Sequence, residues 1–307
     1  MGEDRHILLV AHTGRRDSID AALEVCDILR GAGLTPVMAF DEYADIRRAE
    51  TTIGKVDILG VDVQASELEI VIVLGGDGTI LRAAELVRDV NAPLVGVNLG
   101  HVGFLAESER DGLADTVERA LRGDYHVEER VTLQVDVVVG NEIVYSSWAL
   151  NEATIEKASR ERMLEVVTEV DGRPLSSYGC DGVVVSTPTG STAYNFSGGG
   201  PIVWPDVDAL VLVPLSAHAL FSRPIVVGPD CVLAVEVLRR TSGTGVLWCD
   251  GRRTHDLAPG SRVEVRRSPQ PVRVARLKDA PFTDRLVAKF RLPVTGWRGP
   301  QHDEDDQ

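Results

Sequence analysis

Short unbroken apolar runs alternate with stretches of helical spacing over the first 125 residues. Ile7 to Ala11, Val37 to Phe40, Ile70 to Leu74 and Leu94 to Val97 are apolar throughout. Runs of this kind predict strands buried on both faces. Ile19, Ala22, Leu23, Cys26 and Leu29 fall on one helical face, with Asp17 and Ser18 placed to cap the helix and Gly31 and Gly33 to end it. Ile80, Leu81, Ala84 and Val87 predict a second such helix, and Leu113, Val117, Ala120 and Leu121 a third. Residues 41–66 carry a helical pattern through Ile46 and Ala49 and then no clear period. Strands alternating with helices predict an α/β domain with a parallel sheet covered on both faces.

The pattern changes within residues 124–130. Val131, Leu133, Val135, Val137 and Val139 alternate with mainly polar neighbours, which predicts a half-buried strand. Gly140-Asn141 then reads as a hairpin turn, with Ile143 to Trp148 pairing back. Further short strands are expected around residues 163–170, 182–187, 210–215, 231–237, 245–249 and 261–267, so the second half is β-rich. The expected organisation is residues 1–125, then 126–278, then a segment 279–307. In that segment Phe282, Leu286, Ala288 and Phe290 can pack back on the first domain, and the charged end HDEDDQ reads as a disordered acidic tail.

Composition narrows the function classes. The 307 residues carry a net charge of −15, with a pI near 4.9 and no cluster of Lys and Arg. Such a surface repels a nucleic-acid backbone, so nucleic acid is not an expected partner. No run approaches the ~18 apolar residues of a membrane span. The opening MGEDRHILLVAH lacks a basic segment followed by a long apolar stretch, so a signal peptide is not expected. His6 stands where a myristoylation site needs Ser or Thr. Cys26, Cys180, Cys231 and Cys249 form no CxxC pair and no Cys/His cluster; they read as free thiols of a cytoplasmic protein.

The segment IVIVLGGDGTILRAAE holds the most chemistry. A buried strand runs into Gly75-Gly76-Asp77-Gly78-Thr79 and then a helix. Glycines admit phosphate close to backbone N–H groups, and a helix N-terminus favours negative charge. Gly75, Gly76, Gly78 and Thr79 are the expected phosphate cradle. The loop is neither GxxxxGK[ST] nor GxGxxG, since Leu81 stands where the third glycine belongs. Asp77 would repel a phosphate unless it met a bridging divalent cation or accepted the proton of an attacking hydroxyl. The plain alternative is a tight turn with Asp77 as a helix cap.

Other words accompany the loop in a fixed order. They are Asn98-Leu99-Gly100-His101-Val102-Gly103-Phe104-Leu105, Asn151-Glu152, Tyr178 to Gly182, Ser186 to Tyr194, Ser197 to Pro201, Pro214, His218 and Ser222 to Val226. GGDG alone also occurs in phosphofructokinases and diacylglycerol kinases. The whole set, over residues 70–255, resembles the NAD kinase family. The resemblance implies an α/β N-terminal domain, a β-rich dinucleotide-binding C-terminal domain and an active site between the two. It implies phosphorylation of the 2′-hydroxyl of the adenosine ribose of NAD, with ATP or inorganic polyphosphate as donor and Mg²⁺ or another divalent metal bridging the phosphates. A homo-oligomer, dimer or tetramer, is also implied.

By the same resemblance Asp77 is the catalytic residue, approaching the 2′-hydroxyl, with Gly78 beside it. Asn151 and Glu152 would bind adenine and ribose hydroxyls, and Asp181 the purine or its ribose. Thr192, Ala193, Tyr194, Asn195, Phe196 and Ser197 would shape the dinucleotide pocket, with the Tyr194 ring as a wall. Arg82, one turn past the loop, can face the phosphates or solvent. Arg162, near Arg160, falls where the family has a dinucleotide contact, and Arg252 stands where the family often has Gln. His101 and His218 are read as structural. The rivals are a lipid or sugar kinase sharing the loop, a non-catalytic NAD(P) sensor, and a dehydrogenase, the last weakened by the missing GxGxxG.

Overall fold

The computed structural model describes residues 5–49, 53–100, 103–159, 162–277 and 281–294. His101, Arg160 and the acidic tail lie outside the described residues. The chain divides into two compact units, Met1–Glu128 with Arg273–Gln307, and Glu129–Val272.

The first unit opens as the apolar runs predict. β1 (His6–Ala11), α1 (Arg16–Gly31), β2 (Pro36–Met38), α2 (Phe40–Ala49), β3 (Asp57–Ile58), β4 (Leu68–Leu74), α3 (Asp77–Leu86), β5 (Leu94–Asn98), β6 (Ser108–Glu109), α4 (Leu113–Arg122) and β7 (His126–Arg130) follow in order. Two local expectations shift. The run Val37 to Phe40 stops pairing at Met38, and Phe40 instead opens α2, 64% exposed, with Asp41 and Glu42 in the first turn where the helix dipole favours acids. Asp17 and Ser18 sit inside the first turn of α1 rather than before it.

In the second unit β8 (Leu133–Val139) and β9 (Glu142–Ala149) form the expected hairpin, with Gly140 at φ +66° in its turn. β10 (Glu152–Lys157), β11 (Leu164–Val170), β12 (Arg173–Cys180), β13 (Gly182–Ser186), the short helix α5 (Tyr194–Ser197), β14 (Leu210–Leu215), β15 (Ile225–Val227), β16 (Leu233–Val237), β17 (Gly245–Cys249), β18 (Arg253–Leu257) and β19 (Ser261–Arg267) follow. They build two six-stranded sheets, β15-β14-β13-β10-β17-β18 and β12-β11-β16-β19-β8-β9, antiparallel at every pairing. Their alternate residues meet in one core, where Leu133, Val135, Ile155, Val166, Val183, Val185, Val235 and Val263 are fully buried. This is a sandwich held by period-two burial.

The chain then returns to the first unit as β20 (Val272–Arg276) and α6 (Phe282–Phe290). The order of its sheet is β3-β2-β1-β4-β5-β20-β7, with β6 against β5, and the pairs among β1 to β5 are all parallel. Ile7, Leu9, Ile70, Ile72, Val95 and Val97 meet Ile19, Ala22, Val25 and Leu29 of α1 and Val117 of α4 in its core. The sheet grows one way from β1 to β2 and the other way to β4. In such sheets the crevice beyond the strand ends at the point of reversal is where ligands bind.

Candidate active site

That crevice is present, and the loop after β4 forms part of it. A cavity of about 280 Å³ is lined by His12, Arg15 and Ser18 after β1, by Gly75, Gly76 and Asp77 after β4, by Asn98, Leu99, Gly100 and Gly103 after β5, and by Lys289 of α6. Gly75 has φ +152°, and a Cβ there would lie 2.4 Å from Thr79 Oγ1, so the turn closes over a buried threonine. Thr79 thus supports the cradle from beneath, whereas Gly75 and Gly76 line it and Gly78 is exposed. Ser18 Oγ is buried with no hydrogen-bond partner among the described residues. Arg15 pairs with Asp17 at 2.6 Å.

Asp77 is the carboxylate of this cavity. Its Oδ2 accepts the N–H of Phe104 and its Oδ1 that of Leu105, both at 3.1 Å. A Cβ on Gly103 would come within 2.5 Å of Oδ1. Only a glycine lets the chain at position 103 pass this close to the acid. The side chain is therefore held in one direction by backbone, and a carboxylate held so is suited to receive a proton at a defined place.

Arg82 pairs within the protein. Its Nη2 donates to Ala11 O at 2.7 Å and to Glu42, whose carboxyl is 4% exposed and also accepts the Ala11 N–H. A buried carboxylate needs a counter-ion, and Arg82 supplies it. Burial pushes the Glu42 carboxyl up to about 6, against the pull of Ala11 N–H and Arg82.

The second unit gathers most of the residues expected to bind the dinucleotide around the start of β10. Asp250, in the turn between β17 and β18 at φ +54°, is 7% exposed. Its carboxylate accepts the N–H groups of Leu150 at 2.9 Å, Asn151 at 2.7 Å and Glu152 at 3.4 Å, and a guanidinium N–H of Arg253 at 2.8 Å. Burial raises its pKa against these donors. Glu152 is 7% exposed, and its Oε2 has no partner among the described residues. Burial first, then the neighbouring Asp250, pushes the Glu152 carboxyl up to about 8, opposed by the N–H of Tyr194.

The Thr189 to Ser197 stretch lies directly on this strand start. A Cβ on Gly190 would fall 2.0 Å from Asn151 O, so the stretch can pack there only with glycine. Tyr194 and Phe196 are exposed at 40% and 42%, and burial first, then nearby Glu156, raises the Tyr194 hydroxyl. Thr192 and Ala193 are half-buried, and Ser197 is exposed. Asn195 is fully enclosed instead: its Nδ2 donates to Ser191 O and Pro201 O, both at 3.0 Å, so it ties the turn together. Asp181 pairs with Lys157 at 2.5 Å, which with Ser216 holds its carboxyl below the usual range. Arg162 is exposed and donates to Ser242 O. His218 bridges to Gly179 through its backbone. Cys26, Cys180 and Cys249 are buried free thiols, and Cys231 is half-buried.

The raised Glu152 value has a measurable sign. The unfolded chain releases this proton near the ordinary value of 4.5, the folded chain near 8. Folding therefore takes up a proton between those values, so this contribution to stability is full below the lower value and is lost as pH rises through the upper. Glu152→Gln should remove it. The variant's stability relative to the parent, measured by urea unfolding, is expected to rise by on the order of a few kcal/mol from pH 5 to pH 8. A constant difference would show that Glu152 ionises normally.

Sequence reading missed several of these groups. Asp250 belongs to an Asp-Gly turn signal that was legible between two strands. His12, Arg15 and Ser18 follow the first strand, where ligand-binding loops of such sheets begin. Lys289 left no local signal.

The comparisons agree with this two-part architecture. The profile of the ATP-NAD kinase N-terminal domain matches residues 7–125, and that of the ATP-NAD kinase C-terminal domain residues 150–277. An NAD kinase of Leifsonia xyli subsp. xyli is 68% identical over 300 residues, covering 98% of this chain and 99% of its own length. An NAD kinase of Thermobifida fusca is 58% identical over 308 residues, covering 98% and 94%. Among solved structures, a yeast NADH kinase complexed with NADH superposes with a TM-score of 0.81 at 20% identity, covering 95% of this chain and 88% of its own. An NAD kinase from Archaeoglobus fulgidus in complex with ATP does so with a TM-score of 0.67 at 23% identity, covering 94% and 98%. Those two likenesses establish the fold. The sequence relatives give the class, a phosphotransferase built from an α/β unit and a β-sandwich unit. The chain belongs to the NAD kinase family.

Proposed function

We propose that this protein transfers a phosphoryl group from ATP to the 2′-hydroxyl of the adenosine ribose of NAD, giving NADP. The observation that carries the reading is Asp77, fixed by two N–H groups at the rim of a glycine-lined cavity that also holds His12, Arg15 and Lys289. The cavity suits the donor's phosphates. The NAD ribose and adenine are assigned to Asn151, Glu152, Asp181 and the Thr192–Ser197 stretch, with Asn195 acting as its brace. A neutral Glu152 carboxyl offers a ribose hydroxyl both a donor and an acceptor.

Asp77 takes the proton as the 2′-oxygen attacks the γ-phosphorus, and ADP leaves with the electron pair of the broken P–O bond. The donor's charge is met by the cavity's cations and by the N-terminus of α3. Among the described residues no group of three or more His, Cys, Asp or Glu could hold an ion. A divalent metal therefore fits here as part of the substrate, carried in on the donor's phosphates, where it would neutralise their charge.

A coupled assay for NADP, run with each donor, tests the proposal. ATP with Mg²⁺ should support NADP formation, and chelation should abolish it. Inorganic polyphosphate is expected to serve as well, because the described lining offers Arg15, Lys289 and a glycine-rich backbone to phosphate and no Phe, Tyr or Trp to a base. Binding of NAD without any NADP formation would favour the sensor reading. Turnover with diacylglycerol or fructose 6-phosphate in place of NAD would favour the other kinases.

A further inference from the structure

The loop that holds Asp77 is itself held by the C-terminal helix. Arg285 of α6 donates through Nη1 to Phe104 O at 3.0 Å and to Ala106 O at 2.6 Å. Its Nη2 reaches Glu107 Oε2 at 3.3 Å, and Arg276 of β20 meets the same oxygen at 3.2 Å. Arg276 also donates to Leu105 O at 3.1 Å. Glu107 is 1% exposed and Arg285 13%, so these bonds form away from water. The Phe104 ring tilts against Phe282 and Phe290 of α6, at 5.7 and 6.0 Å.

One peptide plane joins this network to the acid. Phe104 C=O and Leu105 N–H belong to the same rigid unit. Its oxygen accepts from Arg285, and its N–H donates to Asp77 Oδ1. Turning that plane breaks both bonds together, and the cationic donor on one side polarises the N–H on the other. We infer that Arg285 is a positioning residue for the phosphoryl transfer: it orients the Phe104–Leu105 peptide and, through it, the Asp77 carboxylate. The inference rests on the reading of Asp77 as the proton acceptor.

A double-mutant cycle tests it, with kcat and KM for NAD measured at saturating ATP and Mg²⁺. Arg285→Met is expected to lower kcat by about tenfold or more, since small misplacements of a reacting group cost that much. KM for NAD should stay within about twofold, the mark of an interaction felt in the transition state alone. Arg285→Lys keeps a charge toward Glu107 but lacks the planar fork, so it should recover only part of kcat. It also carries the cycle if the Met variant does not fold. In an Asp77→Asn background, single-turnover NADP formation over hours should fall by less than about twofold on adding either Arg285 substitution, because linked residues do not add. Equal losses in both backgrounds would overturn the relay and leave a merely structural arginine. Unchanged kcat in both single Arg285 variants would overturn it too. Near-normal turnover of Asp77→Asn alone would instead overturn the role of Asp77.

Discussion

Asp77→Asn is expected to lower kcat by about 10²–10⁴-fold, the range for loss of a positioned proton acceptor. NAD affinity should hold within a few fold, because the residues assigned to the dinucleotide lie in the second unit and keep their own supports: Asp250 under Asn151 and Glu152, and Gly190 against Asn151. Asparagine is nearly isosteric, yet it has one acceptor oxygen where aspartate offers two. Either Phe104 or Leu105 would lose its partner, at a cost of about 1–3 kcal/mol. The variant should thus melt a few degrees lower and remain folded. Turnover near that of the parent, with NAD bound normally, would remove Asp77 from the chemistry.

Gly103→Ala should produce a large kinetic lesion in a folded protein. The added methyl would stand 2.5 Å from Asp77 Oδ1 and 3.1 Å from Cγ, well inside contact distance. Something must give, and the alternatives are few. The carboxylate is short and tied to two N–H groups, and the loop beyond Gly103 is tied to Arg276 and Arg285. Whichever yields, the acid leaves its direction by a distance approaching an ångström, which is worth roughly 10² in rate. The thermal midpoint should fall by a few degrees, because overpacking costs about 1–3 kcal/mol while the groups that form hydrogen bonds all remain. A Gly103→Ala enzyme with full kcat would mean that the direction of the carboxylate does not limit the reaction.

Much of the fold was legible in order and type. The apolar runs at Ile7, Ile70 and Leu94 became β1, β4 and β5, and the period-two stretch from Leu133 became β8. Two weaker signals failed. Phe40 was read into a strand because apolar character was taken without its neighbours, whereas Asp41 and Glu42 commit the next turn to helix. The strands at Arg173 and Arg253 were not distinguished from loops, since their exposed polar residues blur the alternation. At the site, Asp77, Asn151, Glu152 and the Ser186–Tyr194 stretch were recognised as words in a fixed order. Arg82 was left open between phosphates and solvent, because a charge one turn past a phosphate loop faces inward or outward according to what lies across from it. Here Glu42 of α2 lies there.

Periodicity is a property of residues a few positions apart, so the sequence alone determined the alternation of helix and strand, the change to β-structure near residue 125, and the glycine turn that presents Asp77. Hydrogen-bond partners and burial depend on groups brought together across long stretches of chain. Asp77 meets Leu105 across 28 positions, Asn151 meets Asp250 across 99, and Phe104 meets Arg285 across 181. No local pattern encodes those distances. Only the tertiary structure decided that burial raises the Glu152 carboxyl, that Asn195 is a brace, and that a helix near the end of the chain holds the loop of an acid near its beginning.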